Sequence, residues 1–297
     1  MKKILTLLLI STALSLPGCA LHEPYARPEV ATPGDWKGSN AKQDEIDGNW
    51  WTQFNSADLN NFIVQAKQNN NDIQAAIARI DQSRAQVKIS GAPLLPSVNA
   101  SGSIGTNDGN RVSRSDNYSG NLSVAYEADL WGKNRNTREA ARKSLNATTF
   151  DKDALDLVVT SETAQTYFNI LGYQQRINNA ERNLTLSKDV ARIIKDRYDA
   201  GAVSGQEVAQ QTTAIASAEA NLSTLRQQLS NSMSALNVLL GQPPQTVLAP
   251  FAVKPDATPL DKVTVPKVAP LQPSSLLERR PDIRSQEENL KAANLNI

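Results

Sequence analysis

An unbroken helical pattern over residues 136–198 limits the fold more than anything else in this chain. It contains no proline, and Gly172 is its only glycine. Val158, Val159, Tyr167, Phe168, Ile170, Leu171, Ile177, Leu184, Ile193 and Ile194 recur near helical spacing. At about 1.5 Å per residue the pattern describes a helix roughly 90 Å long. The run Ala200-Gly201-Ala202-Val203-Ser204-Gly205 interrupts it. A second pattern follows over residues 206–240. There Ile215, Leu222, Leu229 and Leu236 stand seven apart, and Ala218, Leu225, Ser232 and Leu239 interleave three positions later. That spacing is a coiled-coil seam. Two long helices joined by a short turn form an antiparallel hairpin. The composition agrees: aromatics make up 5% of the chain, which suits long helices better than a compact aromatic core.

Upstream, the period changes twice. Trp50-Trp51 and Phe54 mark the first ordered packing. Ser56 or Asp58 can cap a helix that carries Leu59, Phe62, Ile63 and Ala66 on one face. The stripe Ile73, Ile77, Ile80 and Val87 continues it until Gly91 and Pro93. Residues 97–105 then alternate small-apolar with polar: Val98, Ala100, Gly102, Ile104. Residues 118–130 alternate again, through Tyr118, Gly120, Leu122, Val124, Tyr126 and Ala128, after a polar loop at 106–117. These are two strands of a hairpin. About ten residues is the length of a tilted strand crossing a membrane, but a soluble hairpin has the same pattern. A lone hairpin cannot span lipid, since its edges would be unpaired there. A membrane reading therefore needs further strands from a second repeat or other subunits.

The helical pattern opened by Asp72-Ile73, with Ile80 and Val87 at steps of seven, returns at Asp282-Ile283, with Leu290 and Ile297. The offset is 210 residues at each point, from Asp72 to Asp282 and from Val87 to Ile297. Such repetition implies an internally duplicated architecture. The second copy is in mid-pattern at Ile297, without cap or charged tail, so the sequence reads as a first repeat plus the start of a second. A proline-rich linker separates the copies, with Pro250, Pro255, Pro259, Pro266, Pro270 and Pro273 after Gly241-Gln242-Pro243-Pro244.

The N-terminus reads as a secretory signal: Lys2-Lys3, an apolar run over 4–16, then small residues. Leu16-Pro17-Gly18-Cys19 resembles the lipobox of bacterial lipoproteins. The resemblance implies cleavage before Cys19, lipid on Cys19, and, with Ala20 rather than Asp next to it, an outer-membrane destination. Cys19 is the single cysteine, so no internal disulfide forms. A net charge of +1 gives no electrostatic case for nucleic acid. The one histidine, His22, lies in the leader, and no Cys–His pair, phosphate loop or metal-ligand spacing stands out. The sequence therefore argues for neither an enzyme nor a cofactor or metal site.

Taken together, the residues resemble a family, the TolC- and OprM-like outer-membrane factors of bacterial efflux and secretion systems. The resemblance rests on Trp50-Trp51, on Asn71-Asp72-Ile73 leading to Ala78-Arg79-Ile80, on Pro93-Leu94-Leu95-Pro96, and on Tyr126-Glu127-Ala128-Asp129-Leu130-Trp131-Gly132-Lys133. Leu239-Leu240-Gly241 and Leu276-Leu277-Glu278-Arg279-Arg280-Pro281-Asp282-Ile283 complete it. It implies an α+β membrane protein in which three subunits build one outer-membrane β-barrel and one periplasmic helical tunnel. It divides the chain into a signal peptide (1–18), lipidated leader (19–49), N-terminal helical segment (50–92), outer-membrane hairpin (93–132), periplasmic coiled-coil hairpin (133–241), linker (242–273) and the start of a second repeat (274–297). It implies an adaptor-docking tip at Ala200, Gly201, Ala202, Val203 and Ser204, with Ala202 where the family often has a bulkier Leu. It puts Tyr126 and Trp131 at the periplasmic boundary, where plain packing under the strand–helix junction is the other reading. The implied function is a passive exit duct in the Gram-negative outer membrane. Its implied partners are two further copies, a periplasmic membrane-fusion protein, an inner-membrane pump and outer-membrane lipid. A periplasmic adaptor or a structural coiled-coil lipoprotein would share the helices but not the strand pair.

Overall fold

The computed structural model describes residues 25–29, 31, 48–109, 112–243, 260, 263–266 and 277–296. The signal sequence, Cys19 and most of the proline-rich linker lie outside them. A 3₁₀ turn (Trp50–Phe54) leads to α1 (Ala57–Asn69) and α2 (Asn71–Gly91), then through a second 3₁₀ turn to β1 (Ser97–Gly109) and β2 (Val112–Ala125). Helices α3 (Lys133–Asp199), α4 (Gly205–Leu239) and α5 (Pro281–Leu295) follow. The chain forms two compact units. One is Met1–Ala31, Ile77–Asp151 and Leu277–Ile297; the other is Thr32–Ala76 and Lys152–Leu276.

The second unit holds the core. Trp51, Leu59, Phe62, Ile63 and Ile73 pack with Val159, Tyr167, Ile170 and Leu171 of α3 and Leu236 and Leu240 from the end of α4. Ser56 caps α1 by accepting the Leu59 N–H, and its hydroxyl also meets the buried Tyr167 hydroxyl at 2.9 Å. Further along, Ile177, Ala180 and Leu222 make a smaller cluster with Leu184, Leu225 and Leu229. The expected seam of α4 is the face that is covered. Opposite charges bridge the two helices beside it, Glu181 to Arg226 at 2.7 Å and Lys188 to Glu219 at 2.9 Å.

One side chain joins three elements of this unit. Asn70, between α1 and α2, is 3% exposed. Its Oδ1 accepts the N–H groups of Asp72 and Ile73 at 3.0 and 3.2 Å, capping α2. Its Nδ2 donates to the Leu239 carbonyl at 3.0 Å, capping the other end of α4. Next to it α4 closes with a Schellman motif. Gly241 at φ 70° donates to Val238, and Gln242 donates to Asn237.

The expected apolar stripes need three corrections. In α3, Val158 and Ile193 are 49% and 48% exposed, about 100° round the helix from the better covered Val159 and Ile194. In α2, Ile73 and Ile80 are buried, but Ile77 is 41% exposed. The covered line runs through Ile73, Ala76 and Ile80, and Ile77 lies about a quarter-turn away from it. In α5 the buried residues are Ser285, Glu288 and Ala292, while Leu290 is 48% exposed. Of the repeat-related apolar residues, Leu290 therefore lies away from the covered face, and Ile283 is half-buried.

Candidate membrane-facing hairpin and helical tip

The hairpin is a two-stranded antiparallel sheet, paired from Ser97 opposite Ala125 to Thr106 opposite Asp116 and beyond, with an irregularity between Asn107 and Gly109. Pairing runs further into the expected loop than the alternation indicates, because ladder bonds belong to the backbone and tolerate polar side chains. At the other end β2 stops at Ala125 rather than 130. Its last partner is Ser97, and Pro96 before that has no N–H to continue the ladder. Tyr126 and Glu127 thus leave the sheet.

The register sorts the side chains into two faces. On one, Val98 stands opposite Val124, Ala100 opposite Leu122, Gly102 opposite Gly120, and Ile104 opposite Tyr118. On the other, Asn99 faces Ser123, Ser101 faces Asn121, and the Ser103 and Ser119 hydroxyls meet at 2.9 Å. Val98, Ile104, Tyr118, Leu122 and Val124 are 64–76% exposed. A soluble hairpin would turn such a face onto a core. Here no described residue covers it.

Below the strands, Asp129 ends the irregular stretch. Its carboxylate accepts the backbone N–H groups of Asn134 and Arg135 at 3.2 and 2.9 Å, so it caps the first turn of the 67-residue α3. The Arg135 guanidinium reaches the same carboxylate at 3.3 Å. Tyr126 and Trp131 flank the cap and are both exposed. Tyr126 lines an open groove of about 560 Å³ with Ile89, Pro93 and Leu95. Neither ring is packed as core among the described residues.

The turn between α3 and α4 is built by its backbone. Gly201 takes φ 73° and donates to Tyr198, and Ala202 donates to Arg197, closing α3 in a Schellman motif. Ser204 opens α4 with a capping box, its N–H donating to the Glu207 carboxylate at 3.4 Å. Ala200, Gly201, Ala202 and Ser204 are exposed, and Val203 is half-buried. A hydrogen-bonded apex of small residues is thus exposed. Cys19 lies outside the described residues. Sequence reasoning missed Asn70 and Asp129, although an Asn just before a helical run and an Asp a few residues ahead of one are both legible capping signals.

Among the described residues no group of three or more His, Cys, Asp or Glu side chains could hold a metal, and no helix is long and apolar enough to cross a membrane. Comparison with known proteins decides between the remaining readings. The family model described as outer membrane efflux protein matches residues 62–242. The chain belongs to the outer membrane efflux protein family. This is a family of transport ducts rather than of enzymes, and its place is the Gram-negative outer membrane.

Its relatives include the pyoverdine export outer membrane protein OpmQ of Pseudomonas aeruginosa, 32% identical over 97% of this chain and 63% of that protein. The cation efflux system protein CusC of Escherichia coli is 29% identical over 98% of this chain and 64% of its own length. Solved relatives superpose closely. The outer-membrane channel OprN gives a TM-score of 0.77 at 27% identity over 94% of this chain and 63% of its own. The CmeC outer membrane channel of Campylobacter jejuni gives 0.74 at 28% identity over 93% of this chain and 61% of its own. The TolC-like fold expected from the residues is thus the fold of the chain. The chain spans somewhat under two thirds of the length of these relatives.

Proposed function

We propose that this chain supplies one subunit's share of an outer-membrane efflux duct, through which small molecules leave the cell passively. The observation that carries the reading is the hairpin, with one uncovered face that is apolar from the Val98–Val124 pair to the Ile104–Tyr118 pair and one hydroxyl- and amide-bearing face. A barrel stave needs that division, with lipid on one side and water on the other. Two strands alone leave edges that lipid cannot satisfy, so further strands and subunits must close the wall. A homotrimer meets that need. The relatives' names support efflux as the task, and no catalytic role is proposed.

The remaining assignments extend this reading. Residues 93–132 form the membrane hairpin and 133–241 the periplasmic coiled coil. The apex at residues 200–204 receives a periplasmic adaptor, which links the duct to an inner-membrane pump. Tyr126 and Trp131 sit at the periplasmic boundary, where exposed rings prefer the interface. Cys19 carries the lipid anchor.

The test compares the two faces in the full-length protein. Leu122→Arg places a charge on the apolar face, where it costs about 2–4 kcal/mol at mid-membrane. It should deplete folded protein from the outer membrane and abolish efflux. Asn121→Arg, one residue away on the polar face, should leave assembly intact. Equal assembly of both variants would refute the membrane orientation.

A further inference from the structure

The covered face of α5 is polar, and this needs a reason. Glu288 is buried, and its carboxylate accepts bonds from Asn146 of α3 at 3.1 Å and from Lys291 at 2.7 Å, with Lys143 at 3.7 Å. The Arg284 guanidinium lies over the Phe150 ring, 4.0 Å from its centroid. Helix α5 is therefore held on α3 by charge and stacking more than by apolar area.

A third strand of chain reaches the same helix. Tyr25 sits with its ring 5.4 Å from the Lys291 ammonium and its hydroxyl 3.4 Å from Glu287. Arg27 places one nitrogen 3.0 Å from Glu287 and another 3.3 Å from Glu278. One guanidinium thus bridges two carboxylates on either side of the start of α5. The set is balanced: Arg27, Lys143 and Lys291 face Glu278, Glu287 and Glu288. Pro28 restricts the backbone at Arg27, the residue before it. Each ion pair is partly exposed and weak alone. Their value lies in acting on one segment together.

We infer that residues 25–29 form a strap that fastens the N-terminal leader to α5, and through Glu288 to the start of α3. The strap sets how far the leader can reach. The contour from Cys19 to Trp50 is about 100 Å, whereas that from Cys19 to Tyr25 is about 20 Å. If Cys19 carries lipid, the strap moors the α3–α5 contact near the membrane surface. The strap itself is intramolecular and does not depend on that lipid.

Proteolysis of the purified full-length protein tests it. Proteinase K clipping of the leader is followed by mass spectrometry, in the native protein and in Arg27→Gln, Glu287→Gln and the double variant. Each single variant should be clipped on the order of three- to tenfold faster, the range expected for losing weak ion pairs. The double should be no faster than the quicker single, because both changes break one latch. Tyr25→Phe should stay close to wild type and Tyr25→Ala should not, since the ring under Lys291 matters more than its long hydrogen bond. Cys19→Ser should leave protection unchanged, which separates the strap from the lipid. Clipping at one common rate in all variants, or single effects that multiply in the double, would overturn the inference.

Discussion

Replacing Asn70 should loosen the junction of α1, α2 and α4 by an amount the geometry sets. Asn70→Ala removes an acceptor for two N–H groups and the donor to the Leu239 carbonyl. Loss of the cap costs about 1 kcal/mol. The carbonyl and the N–H groups are then stranded beside a position that is 3% exposed, at about 1–3 kcal/mol. The contributions overlap, so the expected total is about 2–4 kcal/mol. Asn70→Ser keeps a capping hydroxyl but cannot reach across to Leu239, so it should lose about half of that. Asn70→Asp keeps the cap and turns an oxygen toward the carbonyl, and should do no better than Ser. Trp51 belongs to the adjoining core, so the midpoint of denaturant-induced change in tryptophan emission reports the loss. A midpoint shift for Asn70→Ala equivalent to less than about 0.5 kcal/mol, the size of an ordinary surface change, would refute the dual-cap argument. So would a Ser variant equal to wild type.

Two glycines with the same backbone should behave differently. A Cβ on Gly241 would press into the Asn69 carbonyl, whereas one on Gly201 meets nothing. Gly201→Ala should therefore cost only the left-handed penalty of about 1 kcal/mol, and Gly241→Ala clearly more, read as shifts in thermal midpoint. Glu288 gives a pH dependence. Burial pushes its carboxyl up, but bonds from Lys291 and Asn146 and the Lys143 charge bring it below the usual range. Its folded value being the lower, its stabilisation is present above the ordinary carboxylate pKa and fades as pH falls through the depressed one. Lys291 is raised by its bond to Glu288, so its share is lost only as pH rises through that raised value. Glu288→Gln should flatten the acid limb of a thermal midpoint profile, and an unchanged limb would count against it. At the apex, Ala202→Arg should abolish drug resistance in the full-length protein while trimers still form, measured by susceptibility and native electrophoresis; wild-type resistance would reject adaptor docking there.

The long helices were legible because their periodicity is the physical cause of the fold. Leu222 and Leu236 are spaced for a seam, and both are buried in one. The strand pair was legible for the same reason, with its limits displaced by Pro96 and by polar residues that still pair through their backbones. Ile77 and Leu290 were not legible. An apolar residue at the edge of a stripe cannot reveal whether a neighbour covers it. The polar burial of Glu288 escaped for a related reason, since its partners Lys143 and Asn146 lie about 140 residues away in sequence. Of the candidate site, the turn at Gly201 could be read from glycine chemistry alone. The alternation of the hairpin was legible too, but which residues stand opposite each other on its apolar face emerged only once the register paired Val98 with Val124.

The two ion pairs along the α3–α4 hairpin run in opposite senses. Acid on α3 meets base on α4 at Glu181–Arg226, and base meets acid at Lys188–Glu219. Seven residues separate the pairs on each helix, so sliding one helix by a heptad, about 10 Å, would leave the apolar seam in step. It would not leave the charges in step. A slide one way sets Glu181 beside Glu219; the other way sets Lys188 beside Arg226. Each loses two attractions and gains a repulsion, for about 1–2 kcal/mol against a shift the leucines alone would permit. The charge order thus works as a ratchet tooth. It opposes telescoping of one helix along the other while leaving every other motion of the hairpin untouched.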